Sequence, residues 1–313
     1  MSRFWSDHIH ELVPYVPGEQ PKQQLLKLNT NEHAYGPSPR VFAAIAAKNN
    51  DDLRLYPPYE ASALLSAIAK KHNVATDQVF LGNGSDEVLA HVFNTLFLRA
   101  GRPLLLPDIT YSFYKTYCAF FKVPAEVIPL AEDFTIRVED YTREREVAPA
   151  AIIFANPNAP TGIALALDDI AHIAQANPDS AVVVDEAYVD FGADSAVALI
   201  AQHPNIVVIH TLSKSYALAG LRVGYAVASA EIVAGLQRVK DSFNSYPLDT
   251  LAQAGAVAAI EDQAYFDEKR FAIMQSRDKL TKDLQQLGFE VLPSKTNFVF
   301  ARHADHEAQQ LHQ

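Results

Sequence analysis

The chain is 313 residues long, with 49% hydrophobic and 20% charged residues and a formal net charge of −11. A chain of this length and balance buries a core without disulfides or structural metals, which excludes intrinsic disorder and suggests about two domains. The acidic balance argues against a general nucleic-acid binder, which needs a basic face.

Residues 1–7 lack the apolar core of a signal peptide. No run of roughly 18 uninterrupted apolar residues is present to span a membrane. No membrane partner is therefore expected, and the default location is cytoplasmic. Residues 1–37 are rich in proline and asparagine, have no sustained period and are predicted to form an arm. Ser38 can cap a helix over 38–49, with Pro39 in its first turn. Residues 61–72 read as a second amphipathic helix. From Val79 short apolar runs alternate with helical segments. Strands are predicted over 79–81, 104–106, 150–155, 181–184, 206–210 and 223–228. Helices are predicted over 85–98 and 111–121 and from Asp168 onward. Cys118, the only cysteine, falls in the second of these. It excludes an intrachain disulfide and a cysteine-based metal site, and no metal is expected.

This alternation predicts an α/β fold with a mostly parallel sheet sandwiched by helices. After Pro247 the pattern becomes long helices over 248–260 and 265–287, strands over 289–292 and 297–301, and a helix over 305–311. That pattern predicts a second, smaller α+β domain. The division expected is 30–246 for the large domain, with 1–29 and 247–313 forming the arm and an incomplete small domain. The last helix has no stop signal, so the chain is expected to be cut short within that domain.

Polar residues cluster just past the predicted strand ends, where open α/β sheets bind ligands. Thr211-Leu212-Ser213-Lys214-Ser215-Tyr216 follows one strand and leads to Gly220-Leu221-Arg222-Val223-Gly224. A lysine among small residues reacts with an aldehyde when its surroundings lower its pKa. Ser213 offers a hydroxyl beside it, and Arg222 a planar cation suited to phosphate. On composition alone a surface lysine before a core strand carries roughly half the weight. Val182-Val183-Val184-Asp185-Glu186-Ala187-Tyr188 ends a buried strand on an acid, which needs a partner. Asn156-Pro157-Asn158-Ala159-Pro160-Thr161-Gly162 is a rigid turn after a strand. Gly82-Asn83-Gly84-Ser85-Asp86-Glu87 opens a helix and offers free N–H groups to an anion. Taken alone, that last motif is equally a capped turn.

Together these motifs resemble those of the class II pyridoxal-phosphate-dependent aminotransferases, in their histidinol-phosphate aminotransferase branch. The likeness runs from about Val13 to Asn297. It implies the type I fold of pyridoxal-phosphate enzymes and the cofactor pyridoxal 5′-phosphate. It implies that Lys214 joins the cofactor aldehyde as an imine and moves a proton between substrate Cα and cofactor C4′. Asp185 would hold the ring nitrogen, and Tyr188 would reach the phenolic oxygen. Gly84, Ser85, Asp86, Ser213 and Arg222 would hold the phosphate, and Tyr111 would stack on the ring. The family often has asparagine directly before Pro-Thr-Gly. Here that position is Ala159, and the amide role goes to Asn158, with Asn156 the other asparagine of the turn. Tyr56 would serve the opposite subunit of a homodimer. Leu12-Val13-Pro14-Tyr15, Lys27-Leu28-Asn29-Thr30-Asn31-Glu32 and Lys295-Thr296-Asn297-Phe298 resemble substrate-side segments, with Tyr15, Asn31 and Asn297 the contacts.

The activity implied is amino transfer between L-histidinol phosphate and 2-oxoglutarate, through glutamate, in histidine biosynthesis. An aromatic-amino-acid aminotransferase, a phospho-amino-acid decarboxylase and a truncated, non-catalytic pyridoxal-phosphate-binding protein are the alternatives. Related enzymes carry a carboxylate-binding arginine beyond the point matched by Asn297, and Arg302 sits in a different context. If the chain ends at Gln313, the expectation is cofactor binding with weak or no transamination.

Overall fold

The computed structural model describes residues 2–15, 18 and 27–312. The remainder of the expected arm, residues 1, 16–17 and 19–26, lies outside the described residues.

The central sheet has strands β1 (Val79–Asn83), β2 (Leu104–Pro107), β3 (Ala125–Ile128), β4 (Ala151–Ala155), β5 (Ala181–Asp185), β6 (Ile206–Thr211) and β7 (Val223–Ala228). Their order is β1-β7-β6-β5-β4-β2-β3. β7 runs antiparallel to both of its neighbours, and the other pairings are parallel. Every residue of β4, β6 and β7 is buried, as expected where helices cover both faces of a sheet.

Side chains alternate between two cores. Ile152, Phe154, Val182, Val184, Ile206 and Val208 face one side. There they meet α1 (Pro39–Lys48), α2 (Ser62–His72), α6 (Leu167–Ala176) and α8 (Thr250–Glu261). Ile153, Val183, Val207 and Ile209 face the other side, under α3 (Gly84–Val92) and α4 (Phe113–Phe121). Each buried Val or Ile stabilises the fold by roughly 1.5–3 kcal/mol, so the inner strands anchor the whole layer.

Ser38 caps α1 as expected, its Oγ accepting from Arg40 N at 3.1 Å; Asp249, not singled out from sequence, caps α8 through Leu251 N and Ala252 N at 2.8 Å each. α8 is built of small residues and lies against α1. A Cβ on Gly255 would press on Leu221 and Ile45.

Several elements differ from the sequence expectations. Strand β3, the short helix α5 (Glu139–Thr142) and helix α7 (Ala230–Phe243) were not anticipated. α7 buries Val233, Leu236 and Lys240. A lysine completes its buried face, which hides the helical period. The aromatic helix starts at Phe113, not Tyr111, and α3 gives way to a π turn over Phe93–Phe97. After α9 (Gln263–Gln286) the second sheet is only β8 (Glu290–Val291) paired with β9 (Ala301–Arg302). Residues 297–300 are not strand, because Ser294 and Thr296 take the Phe298 carbonyl at 2.6 and 3.0 Å and bend the chain. The last helix, α10, covers Ala308–His312. Among the described residues no helix is long and apolar enough to cross a membrane.

The start of α3 rests directly on β7. A Cβ on Gly224 would collide with the backbone of Gly84 and Ser85. Gly224→Ala is expected to cost about 1–3 kcal/mol, the usual penalty of overpacking, read as a lower urea midpoint. An unchanged midpoint would mean that α3 does not depend on this close approach.

Candidate active site

Parallel pairing of β5 with β6 brings Asp185 beside Ile209. The chain then leaves β6 through Leu212 and Ser213 to Lys214. Both strand ends open on one cavity of about 230 Å³, lined by Ser85, Asp86, Tyr111, Asp185, Tyr188, Ser213, Lys214 and Arg222 among others. A larger cavity of about 480 Å³ lies near Tyr59, Lys240 and Tyr246. It holds none of these groups, so volume alone does not mark the site. Perturbed ionisable side chains converge on the smaller one, which makes it the candidate site.

The Lys214 amine donates to the Thr30 carbonyl at 2.7 Å and lies 5.7 Å from the centre of the Tyr188 ring. Burial lowers its pKa, because a charge is costly away from water. Glu32 and Asp86 oppose that shift, while Arg222 and Lys27 add to it. Asp185 is buried at the end of β5. Burial pushes it up to about 6, and the Tyr114 hydroxyl, donating at 2.8 Å, and the Ala187 N–H pull it back.

Tyr188 carries its hydroxyl toward the arm. Asn31 Nδ2 donates to it at 3.1 Å, and Asn297 Nδ2 donates to the Asn31 carbonyl at 2.9 Å. One chain of hydrogen bonds thus joins three of the residues singled out from sequence.

At the other end of the cavity, α3 presents its first N–H groups from Gly84, Ser85 and Asp86. Gly84 has φ +78°, and a Cβ there would run into the Arg222 guanidinium. Arg222 pairs with Asp86 Oδ2 at 2.9 Å. The Tyr111 hydroxyl donates to Asp86 Oδ1 at 3.4 Å, and the ring lies edge-on to Tyr114. Thr211 Oγ1 donates to Ser213 Oγ at 3.0 Å.

Not every residue singled out from sequence lines this cavity. Asn158 Nδ2 donates to the Ile109 carbonyl at 3.0 Å and to Thr161 Oγ1 at 3.1 Å, and its Oδ1 is buried without a partner. The neighbouring Ala159 lines the cavity. Tyr15 packs edge-on to Phe113 at 5.0 Å. Tyr56 is 81% exposed and stacks on Tyr246 at 4.8 Å, outside the lining of this cavity.

Sequence reasoning did not single out Tyr114. Its ring is core, and only the end of a strand across the sheet shows that its hydroxyl reaches a carboxylate. Thr30 was also missed as a contact, since backbone carbonyls leave no trace in side-chain patterns. Among the described residues no cluster of three or more His, Cys, Asp or Glu could hold a metal ion.

Comparisons with known proteins follow the same lines. A family model for aminotransferase class I and II matches residues 23–313. The histidinol-phosphate aminotransferase 1 of Bordetella parapertussis is 58% identical, covering 99% of this chain and 87% of that protein. The protein of the same name from Pseudomonas aeruginosa is also 58% identical, over 99% of this chain and 88% of its own. The crystal structure of histidinol-phosphate aminotransferase from Sinorhizobium meliloti in complex with pyridoxal-5′-phosphate superposes with a TM-score of 0.79 at 26% identity. It covers 88% of this chain and 75% of that one. The chain belongs to the class I and II aminotransferase family, in its histidinol-phosphate aminotransferase branch.

Proposed function

We propose that this protein transfers an amino group between L-histidinol phosphate and 2-oxoglutarate, by way of glutamate, in histidine biosynthesis, with pyridoxal 5′-phosphate as its cofactor. One observation carries the reading: a partly buried lysine and a buried carboxylate follow adjacent parallel strands into one cavity, which the start of α3 and Arg222 also line.

The residues present fit the cofactor. A buried carboxylate whose partners are neutral donors suits a cationic ring nitrogen. The glycine approaches at Gly84 and Gly224 leave backbone N–H groups clear for a phosphate, with Ser213 and Arg222 beside them. Tyr111 would stack on the ring, and Tyr188 and Asn158 are the candidates for its phenolic oxygen. When bound, pyridoxal phosphate supplies an electron sink for the substrate carbanion. Lys214 would hold it covalently until the substrate amine takes its place, and the freed neutral amine would then take the proton from the substrate Cα. Asn31, Asn297 and Tyr15 are the substrate-side residues.

We read the protein as a cytoplasmic homodimer. The exposure of Tyr56, together with the nearby apolar side chains Leu53 and Leu55, supports a second copy covering that face. The division at residues 246 and 247 stands as our reading of the domains, supported by the separate β8–β9 sheet. α8 itself packs in the core of the large sheet.

Adding histidinol phosphate to the cofactor-loaded protein is expected to convert its visible spectrum to that of the pyridoxamine form. Threonine phosphate and phenylalanine are expected to do so far more slowly. A spectrum untouched by histidinol phosphate would refute the substrate assignment. Lys214→Ala is expected to lower turnover by at least about 10²–10⁴-fold, the usual range for a lost acid–base group. Near-normal turnover in a stopped-flow assay would remove Lys214 from its role.

Asp185 carries a pH signature. Its folded pKa of about 6 lies above an unfolded value of roughly 3.9. Its stabilising contribution is therefore complete below the unfolded value and is lost as pH rises through about 6. The full loss is about 3 kcal/mol. In the cofactor-free protein at pH 8, Asp185→Asn is expected to melt no lower than the parent while losing transamination. A clear drop in melting temperature would show that the buried charge is not a liability.

A further inference from the structure

Outside the lining of the cavity, next to the segments that carry Tyr188 and Lys214, sits a half-buried ion pair that the reaction does not use. Asp190 belongs to the segment that carries Tyr188, two residues earlier. Its Oδ2 accepts from Ser215 Oγ at 2.6 Å, and Ser215 directly follows Lys214. Lys71, in α2, lies 3.7 Å from the other carboxylate oxygen. The same ammonium donates to the Tyr216 hydroxyl at 2.7 Å and lies over the Tyr216 and Phe266 rings at 4.8 and 5.0 Å. Arg270 of α9 donates to the Asp190 carbonyl at 3.3 Å.

Four pieces of chain meet at this pair: α2, the Tyr188 segment, the Lys214 segment and α9. Burial works against the Lys71 charge, but Asp190 and Tyr216 outweigh it and leave its pKa raised, so the ammonium keeps its charge. The Tyr188 and Lys214 segments are loops, and a loop holds a reacting group in place only as well as its supports.

We propose that Asp190 and Lys71 are positioning residues: they lock the Tyr188 hydroxyl and the Lys214 amine in register from outside the cavity lining, with Ser215 as the link. The proposal rests on the reading of this cavity as the pyridoxal-phosphate site. Displacement of a reacting group by about 1 Å costs on the order of 10²-fold in rate, so loss of the clamp acts on turnover rather than on binding. Other charged or titratable groups around the pair are Arg270 with Asp267 on α9, Glu186 on the Tyr188 segment, His72 on α2, His210 on β6 and Tyr225 on β7. The largest charge effects on Lys214 itself come from Glu32, Asp86, Arg222 and Lys27. None of these changes in the variants below.

The test uses full-length protein loaded with pyridoxal phosphate. Asp190→Asn leaves the Lys71 charge unbalanced, and Lys71→Met leaves the Asp190 charge unbalanced. Their effects on the pH midpoint of the visible absorbance are expected to be opposite: lower for Asp190→Asn, higher for Lys71→Met. The double variant is expected to return close to the parent midpoint, because the two sites act as one pair. In each variant kcat is expected to fall at least about tenfold, with KM for histidinol phosphate changed less than about threefold. Lys71→Arg is expected to recover most of the loss. Ser215→Ala, which removes only the linking hydroxyl, is expected to lower kcat in the same way. It decides the matter if the charge variants do not fold. Variants that melt earlier but keep the parent midpoint and kcat would overturn the clamp. A coloured parent with unshifted variants overturns the clamp alone, whereas a colourless parent overturns the cofactor reading with it.

Discussion

The structure depends on the adjacency of two parallel strands, β5 and β6. Parallel neighbours send their carboxyl ends to the same edge of the sheet, so whatever follows each strand meets there. Here one strand ends on Asp185 and the other leads to Lys214. The carboxylate is held in a site that disfavours its charge, and the amine in one that lowers its pKa. Neither environment makes sense for stability. Both make sense where a ring cation and a neutral amine are required, which is the usual exchange of stability for function.

The surrounding elements serve that edge. β7 runs antiparallel between β1 and β6, and its Gly224 lets α3 settle with its first N–H groups over the cavity. The arm closes the opposite side: Thr30 meets Lys214, and Asn31 meets Tyr188. Asn297, from the far end of the chain, holds Asn31 in turn. Residues nearly the length of the chain apart are therefore parts of one arrangement, and local sequence patterns cannot show this.

Much of the fold was legible because its inner strands are unbroken apolar runs. Ala151–Ala155, Ala181–Asp185 and Ile206–Thr211 announce strands buried on both faces, and the polar residues after them announce a ligand edge. The hidden elements share a physical cause. In α7 a lysine takes a buried position, its charge met by Asp241 at 2.8 Å and by the Tyr59 ring. In β3 only Ile128 is buried, and the strand exists because β2 pairs with it. The site was legible at Lys214, Asp185, Tyr188, Ser85 and Arg222, all of which line one cavity. It was less so at Asn158, whose amide is taken by the Ile109 carbonyl, and at Tyr114, whose ring reads as core while its hydroxyl serves Asp185. A side chain with an apolar body and a polar tip gives only half of its purpose to a pattern search.

The central claim is a covalent one, and chemistry tests it most directly. The protein loaded with pyridoxal phosphate would be reduced with borohydride, digested and mapped by mass spectrometry. The expected result is a single reduced adduct on the peptide that carries Lys214. An adduct on any other lysine, or none at all, would contradict the account.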